Sequence, residues 1–135
     1  MSQKKVLIVD DSKLMRIIIE KILSSDDTFK VTSEAGNGIE ALTEIEKDIP
    51  DLIFLDIEMP EMDGVEALKE IRAKYSTKVV IVSSVAQMGS SRAAEVNQLG
   101  ADAIIEKPGG AVDPTLATQK GKEFIEIARK VVCLD

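Results

Sequence analysis

Val6-Leu7-Ile8-Val9-Asp10-Asp11-Ser12 sets four apolar residues directly against two carboxylates and a hydroxyl. A short unbroken run of Val, Ile and Leu reads as a strand buried on both faces, and such strands belong to parallel sheets. Three more runs of the same kind follow. Leu52-Ile53-Phe54-Leu55 ends in Asp56, Val79-Val80-Ile81-Val82 ends in Ser83 and Ser84, and Ala103-Ile104-Ile105 passes through Glu106 to Lys107-Pro108. In a parallel sheet every C-terminal strand end lies along one edge. That edge collects three carboxylates, one or two hydroxyls and an ammonium group, a gathering that structural needs alone rarely produce.

Helical patterns separate the runs. Lys13 to Leu23 places Leu14, Ile17, Ile18 and Ile22 at helical spacing, with Ser12 as N-cap. Phe29 to Ser33 predicts a short, more polar strand at the sheet edge, and Gly36 and Gly38 a turn before a helix marked by Ile39, Leu42 and Ile45. Pro60 and Gly64 mark a turn before a helix carrying Val65, Leu68 and Ile71. Ser91 to Leu99 predicts a fourth helix closed by Gly100. A looser stretch with Gly109, Gly110 and Pro114 precedes a last helix with Phe124, Ile127, Ala128 and Val131 on one face. Five strand–helix units predict an α/β fold, a doubly wound parallel sheet with right-handed crossovers and helices on both faces. Ligands of such folds bind at the C-terminal strand ends, beside the point where strand order reverses.

Length and composition narrow the function classes. Residues 1–135 are expected to form a single domain, long enough for a proper core. The formal net charge of −7 argues against nucleic-acid binding, which favours a basic surface. No apolar stretch is long enough to span a bilayer, so no membrane partner is expected. The single cysteine, Cys133, excludes an internal disulfide and fits a reducing, cytoplasmic setting. Histidine is absent, which removes serine–histidine and cysteine–histidine catalysis, histidine metal sites and a phosphohistidine on this chain. The remaining chemistry belongs to carboxylates, hydroxyls, lysine and a hard cation.

Two readings stand for Asp10 and Asp11. Either one caps the first helix and the other is solvated, or both serve a divalent cation. Like charges about 4 Å apart repel by roughly 4 kcal/mol at an effective dielectric near 20. Mg²⁺ suits clustered carboxylates and would relieve that repulsion. Asp56 and Lys107 at neighbouring strand ends favour the second reading. Asp56 is then a metal ligand or a nucleophile towards a phosphoryl group. Lys107 would add positive charge for the phosphoryl oxygens. A cis Lys107–Pro108 bond, the peptide type in which cis costs little, would aim the lysine over the strand ends. Ser83 is preferred to Ser84 as the hydroxyl that meets a phosphoryl oxygen.

These motifs, IVDDS, FLDIEMPEMDG, IVSS and EKP, match in order and spacing the receiver domain of two-component response regulators, and the chain resembles that family along essentially its whole length. The resemblance implies a CheY-like, flavodoxin-like (βα)5 fold of strand order 2-1-3-4-5. It implies that Asp56 is the phosphoacceptor, that Asp10 and Asp11 serve Mg²⁺, and that Glu58 ligates the metal through its backbone carbonyl. Ser83 would be the switch hydroxyl and Lys107 the lysine of the site. The implied donor is a histidine kinase, and the domain would catalyse only its own phosphorylation and dephosphorylation. Val85 and Glu58 would flank the path of the hydrolytic water. One position departs from the pattern: Ile104 stands where the family commonly has Tyr or Phe, so the readout is expected through the loop after Ser83 and the fourth helix.

VSSVAQ and GADAIIEKPGGA look similar to the receiver domains of chemotaxis methylesterases, which points to chemotaxis-type signalling. With no output domain expected within 1–135, the partner would be a downstream target protein or a missing output domain. A stand-alone regulator is slightly preferred to a receiver cut from a methylesterase-type protein. The rival enzyme reading is an aspartyl-phosphate phosphohydrolase of the haloacid-dehalogenase type. That group typically has Asp-x-Asp at the nucleophile, whereas this chain has Asp56-Ile57-Glu58.

Overall fold

A computed structural model describes residues 3–59, 61–84, 89, 91–107 and 114–132, with 114–120 described for their backbone alone. Strands and helices alternate along the chain as β1 (Lys4–Val9), α1 (Lys13–Ser24), β2 (Phe29–Ala35), α2 (Gly38–Lys47), β3 (Leu52–Asp56), α3 (Gly64–Lys74), β4 (Lys78–Ser83), α4 (Ser91–Gln98), β5 (Ala103–Glu106) and α5 (Pro114–Val131). The five strands form one parallel sheet of order β2-β1-β3-β4-β5. The order reverses between β1 and β3, the strands that lead into Asp10 and end in Asp56.

The unbroken apolar runs are explained by two cores, one on each face. Leu7, Val9, Ile53, Leu55, Val79 and Ile81 pack under α2, α3 and α4, joined by Ala41, Ile45, Leu68, Ile71 and Val96. Their neighbours Val6, Ile8, Leu52, Phe54, Val80 and Val82 point the other way, against Ile19 and Leu23 of α1 and Phe124 and Ala128 of α5. Phe54 and Phe124 stack with ring centroids 4.6 Å apart. Alternate residues of one strand thus serve opposite cores, which is why no position in these runs is polar.

β2 lies at the sheet edge, as its polar alternation predicts, and its ladder on β1 carries the strand two residues beyond Ser33 to Ala35. Ser12 caps α1 by accepting from the Met15 amide at 3.2 Å. Gly100 adopts φ +97°, the left-handed conformation that ends α4's turn and that glycine tolerates.

Two helix faces differ from the sequence expectation. Leu14 and Ile17 are 67% and 40% exposed, while Ile19 and Leu23 are buried, with Met15 and Ile22 packed beside them. α1 holds apolar residues at 14, 15, 17, 18, 19, 22 and 23, so two overlapping stripes satisfy helical spacing, and packing against α5 selects one. In α2, Ile39 is 51% exposed; Ile45 is buried as expected, Leu42 packs beside the core, and Ala41 joins it. Among the described residues no helix is long and apolar enough to cross a membrane. The expectations for Val85, the Lys107–Pro108 bond and Cys133 fall on residues outside the described set.

Candidate functional site

Strand parity places the site. Asp10 extends the Val6–Ile8 side of β1 and Asp56 the Leu52–Phe54 side of β3, so both carboxylates emerge on the same face at adjacent strand ends. Asp10 and Asp56 are 1% and 3% exposed, whereas Asp11 faces solvent. Single oxygens of the three carboxylates all lie within 4.8 Å of one another. Lys107, directly after β5, sets its Nζ 3.3 Å from Asp56 Oδ2 and 3.6 Å from Asp10 Oδ2. Its own amide donates to the Ser83 carbonyl at 2.8 Å, which fixes it to the end of β4.

Backbone groups complete the lining. The Ser12 amide donates to Asp10 Oδ1 at 2.8 Å, and the Glu58 amide to Asp56 Oδ1 at 3.3 Å. The Glu58 side chain is exposed. Ser83 is buried at 1% exposure, and its hydroxyl donates to the Ser84 carbonyl at 3.3 Å. Behind Asp56, α3 begins so close that a Cβ on Gly64 would stand 2.2 Å from the Asp56 carbonyl oxygen. A glycine is therefore required there for α3 to start against the strand end. The preceding Asp63 caps α3 by accepting from the Glu66 amide and pairs with Arg92 of α4 at 2.6 Å.

Burial sets the electrostatics. It pushes the Asp56 carboxyl from 3.8 to about 6, with the Asp10 charge adding to the rise and Lys107 and the Glu58 amide opposing it. Burial also raises Asp10, against the pull of the Ser12 amide and Lys107. For Lys107 burial acts downward, but the carboxylates of Asp56 and Asp10 outweigh it and the ammonium ends above its ordinary value. The Lys107 ammonium thus stands against two buried carboxylates, with the exposed Asp11 carboxylate beside them. Asp10 Oδ2 is fully buried and has no hydrogen-bond partner, Lys107 lying just beyond hydrogen-bond distance. A buried lone pair without a donor, in a set of carboxylate oxygens, fits a hard divalent cation.

Asp10, Asp11, Asp56 and Lys107 therefore converge as the strand order requires, with Ser83 at the adjoining strand end. Ile104 lies level with Ile81 and packs into the core on the α4 side, two residues along the strands from the Ser83 row. Sequence reasoning passed over Arg16, whose Nη1 donates to the Asp10 carbonyl at 2.5 Å. The one local sign is a cation near the start of α1, whose first turn holds no acid, against the helix dipole.

Known proteins match the chain in sequence and in fold. The response regulator receiver domain family matches residues 6–127. A protein-glutamate methylesterase/protein-glutamine glutaminase of Syntrophomonas wolfei is 43% identical over 112 residues, 83% of this chain and 32% of that protein. The chain spans about a third of the length of the curated relatives it matches. Among solved structures, the response regulator domain of Thermotoga maritima CheB superposes with a TM-score of 0.85 at 37% identity, covering 99% of both chains. A chain in the complex of the CheA3 P1 domain with CheY6 from R. sphaeroides gives a TM-score of 0.80 at 40% identity, covering 97% of this chain and 98% of that one. Sequence match, strand order and superposition extend over nearly the whole chain, and the protein belongs to the response regulator receiver domain family.

Proposed function

We propose that the protein is a phosphoacceptor switch in which Asp56 takes a phosphoryl group from a phosphohistidine of a histidine kinase, in cytoplasmic, chemotaxis-type signalling. The observation that carries the reading is the pairing of buried Asp56 with Lys107 at 3.3 Å beside two further carboxylates. An Asp56 carboxylate oxygen attacks phosphorus as the P–N bond breaks, and the electron pair leaves with the imidazole, which takes a proton. Lys107 neutralises charge on the transferred oxygens, and the Ser83 hydroxyl, released from the Ser84 carbonyl, donates to one of them. Asp10, Asp11, Asp56 and the Glu58 carbonyl would hold Mg²⁺. When bound, the ion supplies charge neutralisation for the carboxylates and the incoming phosphoryl oxygens. The added charge of roughly −1.5 to −2 then biases the Ser83 loop and α4 and changes the protein-binding surface. The complex of CheA3 P1 with CheY6 supports a protein-domain partner of this kind, and the methylesterase relatives support an output domain as an alternative to a separate target.

Incubation with acetyl phosphate and Mg²⁺, followed by intact-mass analysis, tests the assignment. One phosphoryl gain is expected, and Asp56→Asn should abolish it. No gain with any donor rejects the reading, and multiple turnover of a phosphomonoester would favour the phosphohydrolase instead.

A further inference from the structure

We infer that Arg16 is a positioning residue for the acidic pair: it fixes the peptide that joins Asp10 to Asp11, while Glu34 keeps its guanidinium away from the site's carboxylates. The inference rests on the reading of those two acids as metal-holding groups. Asp10 itself is fastened on three sides. Its amide donates to the Ala35 carbonyl at 3.0 Å, its Oδ1 accepts from the Ser12 amide at 2.8 Å, and its carbonyl accepts from Arg16 Nη1 at 2.5 Å. Asp11 has no such fastening. Its carboxylate is exposed and unpaired among the described residues, so its placement follows from the backbone before it. The only side chain holding the carbonyl of the shared peptide is Arg16, among the described residues.

The guanidinium is itself held. Arg16 Nε pairs with Glu34 Oε1 of β2 at 2.9 Å, and the arginine side chain is only 18% exposed. The β2–α2 turn passes beside it, since a Cβ on Gly36 would stand 3.9 Å from Nη1. A planar fork can serve a carboxylate and a carbonyl at once, which an ammonium on a flexible stem does poorly. The arrangement places a full positive charge beside an acidic site without spending it on any carboxylate of that site. Removing Glu34 would free the guanidinium to pair with Asp11 and compete with a cation.

The test is the Mg²⁺ dissociation constant, read from amide shifts of Asp11 and Ser12 in an NMR titration with the metal alone. Arg16→Met is expected to weaken binding about tenfold, the scale seen when a group supporting a metal ligand is lost, and Arg16→Lys should not restore it. Labelling by acetyl phosphate at saturating Mg²⁺ should stay near the parent rate, so the defect appears in metal dependence rather than in the maximum. Glu34→Gln should also weaken binding, but have no effect in the Arg16→Met background. Arg129→Met, which removes the 3.0 Å tie to Asp26 just before the N-terminal end of β2, serves as the control for lost stability and should leave the constant unchanged. Unchanged affinity in Arg16→Met overturns the role of Arg16, and a Glu34→Gln effect that survives without Arg16 overturns the role of Glu34. A parent protein that binds no Mg²⁺ overturns the metal reading on which both stand.

Discussion

Asp56 is a carboxylate almost sealed from water, and its charge bears on the stability of the protein as well as its chemistry. In the folded protein it titrates at about 6, against 3.8 unperturbed. Between those values the folded chain holds a proton that the unfolded chain has released. A proton bound more tightly by the folded state stabilises it, so this contribution is complete below about pH 4 and is lost as pH rises through 6. The ionised group then opposes folding by an amount on the order of 2–3 kcal/mol. Urea denaturation in a chelator should find Asp56→Asn more stable than the parent at pH 7.5, with the gap shrinking towards pH 4.5. A gap that grows as pH falls would contradict the assignment of burial as the dominant cause. Asp56, Lys107 and Asp10 were all legible in the sequence, because Asp10 and Asp56 directly follow apolar runs and Lys107 directly follows the last strand. Arg16 was not, because it sits on α1 while its partners, the Asp10 carbonyl and Glu34, lie at the end of β1 and on β2.

At the scale of elements, periodicity located every helix, but in α1 it did not choose which face turns inward. Seven apolar residues in two overlapping arcs give almost the same pattern for either choice. The core contact of α1 with the second face of the sheet resolves it in favour of Ile19 and Leu23. Ile19→Ala should therefore cost about 2–5 kcal/mol, whereas Ile17→Ser should change stability by no more than about 0.5 kcal/mol. Equal losses in chemical denaturation would place Ile17 in the core as well. The same scale holds the connection between site and surface. Gly64 lets α3 start against the Asp56 carbonyl, Asp63 caps that helix, and Arg92 ties the cap to α4. Ile104, half-buried on the same side, offers no ring to expose, and the proposed switch would reach the surface through α4.

For the whole molecule, the sheet is the frame and the two cores are its clamps. The core under α1 and α5 depends on the Phe54–Phe124 stack, the one aromatic pair among the described residues. Phe124→Ala should cost about 3–5 kcal/mol in denaturant unfolding, a loss comparable to much of the stability of a domain this size. It should leave Mg²⁺ affinity near the parent value wherever the variant is folded, because Phe124 belongs to the apolar cluster under α1 and α5 and the carboxylates to the strand ends. A matched loss of affinity would mean that the site edge is not an independent, rigid end of the sheet.

The sequence by itself determined the α/β class, the alternation of elements and the residues that cap the strand ends, since burial on both faces writes itself as unbroken apolar runs and each run must stop where polarity begins. Only the tertiary structure decided which arc of α1 faces the core, how Lys107 bridges Asp56 and Asp10, and that Arg16 grips the peptide between the two acids. Those choices depend on distances between segments far apart in the chain. Local pattern carries burial and turn chemistry, but not the partner that a neighbouring element brings within reach.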